Sequence, residues 1–145
     1  MIETNQLTPD QISSRWQQLK IGFETGLPVL KTGGEARMLR IFNLAINNQI
    51  QIWETCIDNK AQVFAITHVL IDMITDSRNL FIYSMFAMGG TTNLMWEEGM
   101  HVIKKFAKAN NCLSVMALTK NAKVIEIVKR LNGDISDTLV YLEVK

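Results

Sequence analysis

The most constraining part of the chain is residues 79–144, where strand-like and helix-like patterns alternate. An apolar run from Leu80 to Met88 leads to a Gly89-Gly90-Thr91-Thr92 break, then an amphipathic helix, a second strand, a second helix and a closing strand. Alternation of this kind commits a chain to helices packed on a sheet. A strand that feeds a glycine turn and a helix N-terminus is also where many α/β proteins hold an anionic group, because main-chain N–H groups and the helix dipole converge there. With 145 residues, 48% of them hydrophobic and 20% charged, there is material for one domain, residues 1–145, around a single core.

Upstream, Thr8-Pro9-Asp10-Gln11 combines a threonine cap, proline at the first helical position and glutamine three residues after the cap. Ile12, Trp16, Leu19 and Phe23 follow at helical spacing, and Gly26-Leu27-Pro28 supplies the stop. After Lys31-Thr32-Gly33-Gly34, the residues Met38, Ile41, Phe42, Ala45 and Ile46 predict a second helix to about Asn47. From Gln49 the period becomes two, with Ile50, Ile52, Glu54 and Cys56 on one face and Trp53 and Ile57 on the other. Asp58-Asn59-Lys60 reads as a hairpin turn, and the β-branched and aromatic runs 61–72 and 79–88, joined through Thr75-Asp76-Ser77, complete a three-stranded meander. Met73 and Ile74 can extend the first of that pair, and residues 1–6 can add a short strand.

Beyond the glycines, Met95, Gly99, Val102, Ile103 and Phe106 form a helical stripe, with Lys104, Lys105 and Lys108 toward its C-terminal end and Asn110-Asn111 as its terminator. Residues 113–118 alternate as a strand. Val124, Ile127, Val128 and Leu131 mark a last helix stopped at Asn132-Gly133, and 138–144 is the expected closing strand. The expected fold is α+β (α/β), a mixed and mostly antiparallel sheet with helices on both faces, in the order α-α-β-β-β-α-β-α-β.

That order resembles the GNAT acyltransferase superfamily over nearly the whole chain. In detail, WEEGMHVIKKFAKANNC (96–112), LTKNAKVIEIVKRLNG (118–133) and TLVYLEV (138–144) are similar to short GNAT-like proteins encoded by phages. The resemblance implies that strands 79–88 and 113–118 splay apart, that the pantetheine arm of acetyl-CoA enters between them and that its pyrophosphate rests on the following helix. It implies Met88, Gly89, Gly90, Thr91, Thr92 and Asn121 as cofactor-side residues.

The side chains depart from what that cofactor asks for. The family carries a Gln or Arg and closely spaced glycines inside the first helical turn; here Gly89-Gly90 precede the expected cap (Thr91 or Thr92), and the turn holds Leu94, Met95 and Trp96, followed by Glu97 and Glu98. A carboxylate there stabilises a bare helix by about 0.3–1 kcal/mol, yet at about 6 Å and an effective dielectric near 20 it repels a phosphate charge by about 3 kcal/mol, a penalty that exposure and salt reduce. The family's acid is a Tyr seven residues after an Asn; Asn121 matches the Asn, but Val128 stands where the Tyr belongs. Tyr83 is an alternative proton donor, and His68 and Asp72 are candidate bases. Each also has a plainer reading: packing for Tyr83, a hydrogen-bonded structural role for His68 and for His101, and a strand-end turn for Asp72.

No His/Cys/Asp/Glu spacing suits a metal and no Ser or Cys sits in a nucleophile elbow, so no metal is expected. Met85, Met88, Met95, Met100 and Met116 suggest a methionine seam, read first as adaptable core. Trp16, Trp53 and Trp96 read as core or interface anchors. The net charge of +1 argues against general nucleic-acid binding, although Lys104, Lys105, Lys108, Lys120, Lys123, Lys129 and Arg130 can form a basic face. Cys56 and Cys112, without CxxC spacing, suit a reducing compartment, and residues 1–5 have no signal-peptide character; a cytoplasmic or, if phage-encoded, virion location is expected, with no membrane span. Two functional classes follow. The favoured expectation is a catalytically degenerate GNAT-fold module, a virion neck, tail or capsid-associated component working through protein partners or as a homo-oligomer, without a cofactor. The other is an acetyl-CoA-dependent N-acyltransferase.

Overall fold

The computed structural model describes residues 1–26, 34–119, 122–138, 140, 142 and 144. A strand β1 (Ile2–Gln6) precedes helices α1 (Pro9–Gly26) and α2 (Gly34–Ile46), then β2 (Gln51–Ile57), β3 (Lys60–Asp72), β4 (Ser77–Ala87), α3 (Asn93–Ala109), β5 (Ser114–Ala117) and α4 (Ala122–Arg130). The five strands form one sheet in sequence order, antiparallel except for the parallel β4–β5 pair that α3 crosses over to make.

Local chemistry explains most boundaries. At the start of α1 the Thr8 N–H donates to Gln11 Oε1 at 2.8 Å and the Gln11 N–H to Thr8 Oγ1 at 3.2 Å, a reciprocal capping box. Asp58 and Asn59 both take positive φ, 48° and 67°, as a tight β2–β3 hairpin requires. Asn132, also at positive φ (61°), follows α4.

Consecutive residues of β2 and β3 point to opposite faces, and each face has its own helices. Ile12, Leu19 and Phe23 of α1 and Met38, Ile41 and Ala45 of α2 bury Ile50, Ile52, Phe64 and Ile66. On the other face Ile103 and Ala107 of α3 cover Trp53, Ala65 and Leu80. The α3 side also contains polar pairs: Thr4 Oγ1 lies 2.7 Å from Thr55 Oγ1, the Trp53 indole donates to Thr67 Oγ1 at 2.8 Å and that hydroxyl donates to Gln51 Oε1 at 2.9 Å. All of these groups are buried, so each bond offsets a desolvation cost. Gly99 of α3 crosses over them, and an added Cβ there would lie in ordinary contact, 3.4 Å from Thr55 Oγ1.

Several expectations need correction. Met73 and Ile74 do not extend β3; they lie in the turn 73–76, and β4 starts at Ser77, two residues early. Met95 is buried and Met85 packs against the core beneath α3, but Met88 and Met116 are exposed and Met100 is only partly covered, so the methionines do not form one seam. Residues 138, 140, 142 and 144 are not in a strand; Val140, Leu142 and Val144 are exposed, and 139, 141 and 143 lie outside the described residues. So do most of the expected α1–α2 loop (27–33), Lys120 and Asn121.

Candidate functional site

The candidate site begins where β4 and β5 stop pairing. Parallel register holds from Asn79↔Ser114 to Ile82↔Ala117 and ends there. The rest of β4, residues 83–87, keeps β3 on one side and has no strand on the other among the described residues. Its register with β3 shifts at the same level: Ile66 faces Ser84 while Thr67 faces Ile82, leaving Tyr83 as the extra residue of a β-bulge. Tyr83 therefore sits at the apex of the opening. No glycine or proline announces this bulge in the sequence, which is why alternation alone missed it.

On the α1/α2 face, His68 of β3 pairs with Phe81 of β4, and its ring lies 5.4 Å from Phe81 and 6.2 Å from Tyr83 between centroids. The structure thus brings together two of the three expected catalytic candidates; Asn121 lies outside the described residues. Burial holds the His68 pKa below its ordinary 6.5, opposed in part by a backbone hydrogen bond at Val69. The imidazole is consequently neutral at pH 7 and able to accept a proton. Asp72 is elsewhere and otherwise employed: its Oδ1 accepts the N–H groups of Ile74 at 2.9 Å and Thr75 at 3.4 Å, and these bonds lower its pKa. His101 is exposed on α3. The Cys56 thiol is pushed up first by burial and then by Glu54, which keeps it protonated and unreactive.

The N-terminus of α3 faces the same end of the sheet. Thr92 is the cap, its Oγ1 accepting the Met95 N–H at 3.3 Å, and Thr91 Oγ1 accepts the Trp96 indole N–H at 3.0 Å. Both threonine side chains are thus engaged inside the chain, and no basic residue occurs between Met88 and Glu98. The main chain is more accommodating. Neither Gly89 nor Gly90 has a positive φ; a Cβ added at Gly90 would meet nothing within 4 Å, and one at Gly89 would lie 3.3 Å from the end of the Gln62 side chain, so at Gly90 neither conformation nor internal packing demands glycine. Among the described residues, Asn93 Oδ1, at the start of α3, is buried without a hydrogen-bond partner. The expected repulsion from Glu97 is also reduced, since Arg130 of α4 lies 3.1 Å from its carboxylate. The main chain of Gly89, Gly90 and the start of α3 is what would hold an anionic group here, with no side-chain cation between Met88 and Glu98 to assist it.

The proposed basic face is divided. Arg130 serves Glu97, Lys123 lies 3.9 Å from Glu126, and Lys104, Lys105 and Lys108 project from α3. Among the described residues, no group of three or more His, Cys, Asp or Glu is placed to hold a metal ion, and no helix is long and apolar enough to cross a membrane.

No protein-family model matches the sequence, and no curated protein matches it. Solved structures do match. AAC(6')-Iy, in complex with the bisubstrate analogue CoA-S-monomethyl-acetylneamine, superposes with a TM-score of 0.76 at 9% identity, covering 100% of this chain and 99% of that one. A predicted acetyltransferase from Clostridium acetobutylicum, solved with acetyl-CoA, gives 0.70 at 18% identity, with 99% and 96% covered. A GNAT family acetyltransferase from Staphylococcus aureus gives 0.67 at 14% identity, with 99% and 98% covered. The chain therefore has, over its full length, the fold of the GNAT-family acetyltransferases.

Proposed function

We propose that this chain is an acyl-CoA-dependent N-acyltransferase that places an acyl thioester in the β4–β5 opening. The observation that carries the reading is the pairing of a neutral, half-buried His68 with Tyr83 at the apex of that opening. The unpaired edge of β4 at 83–87 would hold the amide-bearing arm, and the main chain of Gly89, Gly90 and the first turn of α3 would hold the phosphates. When bound, the thioester would supply an activated acyl carbonyl. His68 accepts a proton from an amine brought to the α1/α2 face, and Tyr83 holds a phenolic proton beside it. Acetyl-CoA complexes of structures with this fold support the cofactor class.

The expected result is micromolar binding of acetyl-CoA by isothermal titration calorimetry, together with a loss of about 100-fold or more in amine acylation for His68→Gln or Tyr83→Phe at unchanged cofactor affinity. A second reading, a non-catalytic binding or virion-structural module, is favoured by one feature: the first turn of α3 offers Leu94, Met95 and Trp96 and no cation. Absence of binding at millimolar acetyl-CoA would decide for that reading.

A further inference from the structure

We propose that the chain assembles with a second copy of itself by seating the tip of its β3–β4 hairpin in the groove between α3 and β5 of that copy. Turns are normally built from Gly, Asn, Asp, Ser and Pro, and here the polar work of the turn is done by other residues than those at its tip. Asp72 Oδ1 binds the Ile74 and Thr75 N–H groups, Thr75 Oγ1 lies 2.8 Å from Ser77 Oγ and Asp76 takes the positive φ of 55°. Met73 and Ile74 contribute only backbone to the turn, yet they present large apolar side chains to solvent, 91% and 95% exposed. Ile71 (56% exposed) extends that surface along β3, on the face opposite Leu70, and Leu113 (79% exposed) lies level with it one strand further on, its N–H donating at 2.8 Å to O of Arg78, the residue between them in the register. Scattered exposed apolar residues are ordinary; Met73 and Ile74 together, on a turn held by its own hydrogen bonds and with Ile71 beside them, form a preorganised anchor.

The receiving surface is on the same molecule. A 610 Å³ groove runs between α3 and β5, with Met100, Val115 and Leu131 among its apolar lining and Lys104, Lys105 and Lys108 along its α3 side. The tip is apolar and carries Asp72 and Asp76, the nearby Arg78 being turned to Asn110 O (Nε to O 3.1 Å), and the carboxylate in the groove lining, Glu97, is paired with Arg130; an acidic-flanked apolar knob therefore meets a lysine-lined apolar groove. The carboxylates of the tip argue against an anionic lipid surface as the occupant. Leu113 belongs to both the apolar surface and the groove, so a two-fold axis beside it lets both exchanges occur together and closes the assembly as a dimer. The contact lies at the N-terminal ends of β4 and β5, which leaves the opening beyond Ile82 and Ala117 clear.

Sedimentation velocity on the full chain, from low micromolar to submillimolar concentration, should show a species of twice the 16.5 kDa chain mass. Ile74→Asp, in an exposed turn, and Lys104→Glu with Lys108→Glu, on the groove, should each weaken dimerisation by about tenfold or more while leaving the circular dichroism spectrum unchanged. Ile74→Cys should form an interchain disulfide with native Cys112, which also lines the groove, and Cys112→Ser should abolish it. A wild-type chain that stays monomeric throughout overturns the proposal, as does a dimer indifferent to both sets of substitutions. A full chain that is monomeric until residues 138–145 are removed would assign the groove to its own C-terminal segment, and flotation of a monomer with phosphatidylcholine vesicles would assign the tip to lipid; either result overturns the proposal.

Discussion

At Gly22, α1 passes so close to β4 that an added Cβ would fall 2.1 Å from the Phe86 ring. Phe86 cannot readily yield, because Phe23 meets it edge-on at 4.9 Å and Phe64 stacks on it at 5.0 Å. Gly22→Ala should therefore destabilise the protein by about 1–3 kcal/mol in urea denaturation, despite alanine's better helix propensity. At Gly99 the sign reverses: the Cβ would make ordinary contacts, and Gly99→Ala should be neutral or stabilise by up to about 1 kcal/mol. His68 gives a pH signature. Its folded pKa lies below the ordinary 6.5, so the unfolded chain binds the proton more readily; the contribution of the neutral ring is fully present above about pH 6.5 and is lost as pH falls through the folded value. Melting temperatures measured across that window should fall less steeply with acidification in His68→Phe than in the parent. None of these residues is distinguishable in the sequence from other glycines and histidines, because each effect belongs to a neighbour more than 10 positions away.

At the level of elements, the helices were legible because their stripes and caps are local. Ile12, Leu19, Phe23, Met38, Ile41, Ala45, Met95, Ile103, Val124 and Ile127 are buried at the expected spacing, and Thr92 caps α3. Strand β1 was only a possibility from its polar pattern; its place is settled by pairing with β2 and by the Thr4–Thr55 contact under Gly99. The polar chain through Trp53, Thr67 and Gln51 was invisible for the same reason. Thr67→Val would leave the indole N–H and the Gln51 carbonyl buried without their shared partner, and a loss of about 1–3 kcal/mol is expected in equilibrium unfolding.

For the whole molecule, two regions at opposite ends of the β4–β5 pair carry the functional proposals, the opening beyond Ile82 and the apolar tip and groove near Leu113. Acetyl-CoA titration addresses the first and sedimentation the second, and a dimer-breaking substitution at Ile74 should leave acetyl-CoA affinity unchanged. The order from α1 to α4, the capping box of α1 and the weak phosphate-binding chemistry of the first α3 turn were determined by the sequence alone, since propensity, periodicity and charge act over a few residues, whereas the closing strand expected over 138–144 was not found. The placement of His68 beside Tyr83, the bulge that puts Tyr83 at the apex, the ion pair of Glu97 with Arg130 and the exposure of Met73 and Ile74 were decided only in the tertiary structure. Each depends on strand register or on a contact between separate elements, and register is fixed by burial across the whole sheet.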